Sequence, residues 1–102
     1  YNQPSFRSDI KLKQELLKPL VGEYQYGDDF FFPGVTKNLF ILDGILYGQG
    51  RTTTALIPQS NNEFLDRMNW AIITFNKDNS GKVIGYDWKY DGRIWKTKKI
   101  SN

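Results

Sequence analysis

The chain has no cysteine and no histidine among its 102 residues, and only one methionine. Without cysteine there can be no disulfide, no thiolate nucleophile and no Cys-ligated metal. Without histidine the commonest general base and the commonest metal ligand are both missing. Lack of cysteine suits either side of a bacterial membrane, so it fixes no compartment. Also absent is any run of about 18 apolar residues, the length a membrane-spanning helix needs. No signal-peptide pattern opens the chain. Its first residue is Tyr1 rather than Met, so we expect a piece of a longer chain or a processed product. Excess charge is small: 14 Lys and Arg against 11 Asp and Glu give a net charge of +3 and a pI near 9.2. That balance suits solubility and argues only weakly for a polyanionic partner.

Aromatic residues are plentiful, at 16% of the chain, and they spread along segments that read as strands. The length fits one domain over residues 1–102. At this size about 60–65% of the unfolded surface can be buried, enough for one modest core.

The organising stretch runs from Trp70 to Ile100. Two β-rich runs flank Asp78-Asn79-Ser80-Gly81, whose residues tolerate tight-turn backbone angles. Asp91-Gly92 makes a second break, so the end of the chain reads as a three-stranded meander. Toward the N-terminus, Ser8 is placed to cap a short amphipathic helix over Asp9–Lys18, with Asp9 in its first turn and Pro19 as its stop. Strands follow over Leu20–Tyr26, Val35–Leu42, Ile45–Gln49, Thr52–Ile57, Glu63–Arg67, Trp70–Phe75, Lys82–Tyr90 and Arg93–Ile100. Asp43-Gly44 is a strong two-residue hairpin turn. Phe30-Phe31-Phe32 cannot all face one side of a strand, so at least one ring should lie under a loop or at a barrel end.

Eight strands about 8–12 residues apart, joined by tight turns, predict an all-β fold: an antiparallel sandwich or closed barrel. We read an eight-stranded antiparallel barrel over residues 20–100, preceded by a lead-in and short N-terminal helix over 1–19. Closure removes free sheet edges, and the helix could plug one open end. Period-two alternation places Leu39, Ile41, Leu46, Ile73, Phe75 and Val83 in the core, with Val21, Leu56 and Phe64.

Several patterns mimic reactive sites. Ser8-Asp9-Ile10-Lys11 matches a Ser-x-x-Lys acylating motif, but companion Ser-Asp-Asn and Lys-Thr-Gly motifs are missing, and Lys96-Thr97-Lys98 is no substitute. A helix cap beside a solvated lysine is the better reading. Asp28-Asp29 sits in a turn, where Asp is favoured for local hydrogen bonds. Asp78-x-Ser80-x-Lys82 lacks the later acidic ligands of a calcium loop. No metal or other cofactor is expected, and no nucleophile–base pairing points to an enzyme.

Rings and cations remain. Lys89, Arg93, Lys96, Lys98 and Lys99 interleave with Trp88, Tyr90 and Trp95, the composition of a single-strand nucleic-acid binder. The modest net charge disfavours that partner. Tyr24, Tyr26, Tyr47, Trp70, Tyr86, Trp88 and Trp95 exceed what a small core needs. They either fill the interior or face a neighbouring domain, which we favour, or line a pocket for a small apolar ligand. Candidate ligand-binding residues are Tyr24, Tyr47, Trp70, Tyr86, Trp88 and Trp95.

One ordered set of patterns is more specific than its parts. It comprises Leu20-Val-Gly-Glu-Tyr24, Leu39-x-Ile-x-Asp43-Gly-x-Leu46-Tyr47, Leu56-x-Pro58-x-Ser60-x-x-x-Phe64, Ile73-Thr-Phe75-x-x-Asp78-x-x-Gly81-Lys-Val83 and Lys98-Lys-Ile100. From about Leu16 to Ile100 the chain resembles the lipocalin-like C-terminal domain of bacterial serine hydrolases of the β-lactamase and penicillin-binding-protein type. Phe30-Phe31-Phe32 departs from the usual pattern. The resemblance implies a non-catalytic accessory domain that shapes substrate access or contacts a neighbouring subunit. It also implies an extracytoplasmic (periplasmic or secreted) setting and an upstream hydrolase domain. A stand-alone carrier of a small hydrophobic ligand and an oligonucleotide-binding barrel are the alternatives.

Overall fold

The computed structural model describes residues 13–101. Eight antiparallel strands close into a barrel in simple sequence order, each paired with its neighbours and the last with the first. They are β1 (Gly22–Tyr26), β2 (Thr36–Leu42), β3 (Ile45–Gln49), β4 (Thr53–Pro58), β5 (Glu63–Asp66), β6 (Ala71–Lys77), β7 (Val83–Tyr90) and β8 (Arg93–Ser101). The β1–β8 seam pairs Tyr24 with Lys99 and Tyr26 with Thr97, after a register shift at Glu23/Tyr24. Among the described residues no helix is long and apolar enough to cross a membrane.

Ahead of β1 stands a short helix, α1 (Gln14–Leu17), followed by a 3-10 turn over Lys18–Leu20. Ser8 and the first helical turn expected there lie outside the described residues. Pro19 does not stop the helical path. It sits in the first turn of the 3-10 segment, where its missing N–H is not needed. Leu17 and Leu20 from this segment are buried in the interior cluster, so it closes the barrel end at which β1 begins.

Two hairpins turn as the sequence requires. Asp43 and Gly44 have φ of 53° and 77°, and Asp91 and Gly92 have 52° and 75°. Two successive positive φ values define the turn whose twist suits paired strands. At the β6–β7 turn the Asp78 carboxylate accepts hydrogen bonds from the backbone N–H of Ser80 and Lys82 and from the Ser80 hydroxyl. This bonding to Ser80 and Lys82 holds its pKa below the ordinary value.

The barrel interior holds Leu39, Leu46, Leu56, Phe64, Ile73, Phe75 and Val83 as the alternation requires, while Val21 and Ile41 pack only partly buried against them. Much of the remaining volume is aromatic. Tyr24, Tyr26, Tyr86, Trp88 and Trp95 point inward and are buried. The Tyr24 hydroxyl donates to the Leu20 carbonyl at 2.8 Å, tying β1 to the segment that closes this end. Tyr26 and Tyr86 share a hydroxyl–hydroxyl hydrogen bond of 2.8 Å, so these inward phenols do not go unpartnered.

Candidate functional site

Antiparallel order sends the loops after β1, β3, β5 and β7 to the end opposite the helical segment. At this end the long β1–β2 loop carries the three consecutive phenylalanines. Phe30 turns inward beneath the loop and meets Tyr26 at 4.2 Å, Trp88 at 5.3 Å and Trp95 at 6.0 Å between ring centroids. Phe31 and Phe32 stay at the surface. The Trp95 indole N–H donates to the Asp29 carbonyl at 3.0 Å and pins the loop over the rings. The expectation of one ring beneath a loop is thus met by Phe30.

A cleft of about 430 Å³ opens between this loop, the β3–β4 and β5–β6 loops and the ends of β2 and β7. Phe30, Phe31, Phe32, Tyr26, Trp88 and Tyr90 supply its rings, with Val35 and Met68 as further apolar walls. Lys37 and Arg51 supply its charge. The volume falls within the usual small-molecule range of about 300–1,000 Å³. Beneath the cleft the barrel is solid: Tyr24, Phe75 and Tyr86 contact one another with centroids 4.9–6.1 Å apart. It is therefore a mouth pocket over a packed floor, unlike the deep cavity of a large carrier barrel.

Lys37 lies on the inward face of β2, two residues from Leu39. Its stem runs alongside Gly48 and Gly50, so that a Cβ added at Gly48 would come within 3.2 Å of it. Burial lowers the Lys37 pKa, and the charge of Asp66 partly opposes this. Asp66 is fully buried and accepts hydrogen bonds from Asn69, from its side chain at 2.9 Å and its backbone N–H at 3.4 Å. Burial raises the pKa of Tyr26 and Tyr86, and Asp66 adds to both effects. The Arg51 guanidinium lies 4.3 Å from the Phe32 ring centre, a cation–π distance. The Trp88 indole N–H is buried and has no hydrogen-bond partner.

The six ring positions singled out from the sequence separate into three groups. Trp88 lines the cleft. Trp95 lies directly behind it, 5.6 Å from Trp88 and 5.1 Å from Phe31. Tyr24 and Tyr86 form the floor. Tyr47 is on the outer face of β3, stacked on Phe40 across the β2–β3 ladder at 5.6 Å. Trp70 stands in the β5–β6 loop, 49% exposed and with a φ of 54°. Phe30 to Phe32, Lys37, Arg51 and Tyr90 were not among the candidate site residues. Parity could have found Lys37, since counting back from Gly44 through Ile41 and Leu39 reaches it next on the same face.

The basic–aromatic interleaving of β7 and β8 resolves onto two faces. Trp88 and Trp95 point inward while Lys89 and Lys96 point out, where Lys96 pairs with Asp87 at 3.0 Å. An open trough of about 730 Å³ follows Val83–Gly85 and Thr97–Ser101 on the β7–β8 side. It is lysine-rich and has no aromatic lining. Among the described residues no group of three or more acidic, His or Cys side chains could hold a metal ion. Comparison with family models, curated proteins and solved structures finds no match; the family resemblance therefore rests on the residue pattern.

Proposed function

We propose that this chain is a non-catalytic binding barrel that receives a small, ring-containing apolar molecule at its open end. The observation that carries this reading is the aromatic cleft itself: six rings around a ready-made opening above a floor that cannot collapse into it. Apolar area removed from water is worth about 25 cal/mol per Å², so such walls favour a ligand with flat apolar faces. The test is a fluorescence titration with the neutral probe N-phenylnaphthylamine. Saturable binding of one probe per chain is expected. A Gly50→Trp variant should abolish it by filling the cleft, since a Cβ at Gly50 meets only ordinary contacts. Absence of saturable binding to the unaltered chain, both by this probe and by a charged analogue with the same rings, would overturn the reading.

A second reading, an accessory domain of a serine hydrolase-like protein outside the cytoplasm, draws on the resemblance and on the rim. Phe31, Phe32, Met68 and Trp70 are all exposed in the loops of this one end, and exposed apolar clusters commonly mark protein contacts. The coding region upstream should then specify a domain bearing Ser-x-x-Lys and Lys-Thr-Gly motifs. An upstream region without them removes this reading and leaves the ligand-binding one standing.

A further inference from the structure

The cleft has an unbalanced set of polar groups. Its two charged side chains, Lys37 and Arg51, are both cations, and no acidic residue lines it. Among the described residues the Lys37 ammonium has neither a hydrogen bond nor an ion pair. Its nearest ring partner is Tyr26, at 6.0 Å from the centroid. Trp88 is 95% buried by its 5% exposure, and its indole N–H lacks an acceptor. The Asn69 side-chain amide donates one hydrogen bond to Asp66. Two charged donor groups thus border one aromatic opening, and the buried Trp88 N–H lies within one of its walls. Buried donors call for acceptors, and charge-assisted bonds to an anion are the strong ones.

We propose that the cleft selects an aromatic anion, with a carboxylate- or sulfonate-like group held by Lys37 and Arg51 and its rings against Phe30, Trp88 and Tyr90. The inference rests on the ligand-binding reading and adds the sign of the ligand's charge to it. A simple inorganic anion would leave the rings uncovered, and a neutral hydrocarbon would leave the donors unmet.

Two probes with the same ring skeleton separate the possibilities. Anilinonaphthalenesulfonate carries a sulfonate, and N-phenylnaphthylamine does not. At low salt the sulfonate should bind about tenfold more tightly than the neutral probe, and added salt should narrow that advantage. Lys37→Met and Arg51→Met keep apolar stems while removing charge. Each should weaken sulfonate binding about five- to tenfold, with the neutral probe affected less than about twofold. Arg51 is exposed at the rim, so its variant carries the same comparison if the Lys37 variant fails to fold. Equal affinities for the two probes, or unchanged sulfonate affinity in Arg51→Met, would overturn the charge selectivity while leaving the cleft as a binding site. Failure of both probes to bind would overturn the two readings together.

Discussion

Gly85 shows how a single position can be decided by a neighbour far along the chain. The Thr97 hydroxyl inserts into the β7–β8 ladder, accepting from the Tyr86 N–H at 2.9 Å and donating to the Tyr86 carbonyl at 3.0 Å. This brings the Thr97 backbone so close that a Cβ on Gly85 would lie 2.2 Å from its carbonyl oxygen. Gly92 poses the opposite case, with nothing within 4 Å of an added Cβ but a φ of +75°. Gly85→Ala is expected to cost about 1–3 kcal/mol or more through forced backbone movement. Gly92→Ala should cost about 1 kcal/mol, from conformation alone. Urea unfolding midpoints of the two variants would test the order, and a Gly85→Ala midpoint at or above that of Gly92→Ala would refute it. Both glycines are visible in the sequence. Only Gly92, flanked by a turn-forming Asp91, announces its reason there; the contact at Gly85 depends on a partner twelve residues away.

Strands were the most legible level. Alternation and turn chemistry placed eight of them within a few residues of their observed ends, because each hairpin is specified locally. β3 matches throughout. Helical content was less legible, since Pro19 is compatible with either a stop or a 3-10 turn. The destination of the rings was harder still. Alternation tells which residues share a face, and Trp88 and Trp95 do so as a direct cross-strand pair. It does not give the barrel radius, so it could not decide that Tyr24 and Tyr86 fill the centre while Phe30 folds back beneath a loop. The cleft escaped for a related reason. Its two cations are neighbours across the β2–β3 hairpin, but the β7 rings of Trp88 and Tyr90 reach them only when the sheet closes. Asp66 illustrates the same limit: β5 is four residues long, and its inward carboxylate gains its Asn69 partner only from the following loop.

Across the whole molecule the phenols set the alkaline limit of stability. Burial raises the pKa of Tyr24, Tyr26 and Tyr86 above the ordinary value of 10.0. The folded state therefore keeps these protons while the unfolded chain releases them. Their contribution is intact below pH 10 and declines above it, by about 1.4 kcal/mol per pH unit for each phenol. Lys37 and Lys99, whose pKa values burial lowers from 10.5, act with the opposite sign, because the unfolded chain holds their protons longer. Their effect diminishes as the pH passes 10.5, whereas that of the three phenols persists. Tyrosinate absorbance should consequently show these three groups ionising only together with loss of near-ultraviolet circular dichroism. Ordinary titration of all six tyrosines in a still-folded chain would contradict this. The strand order carries a kinetic consequence as well. Seven of the eight seams join strands adjacent in sequence, and only β1 on β8 unites distant ones. Nearly all of the chain can zip up hairpin by hairpin, and the entropic toll of bringing remote segments together is concentrated in one final clasp.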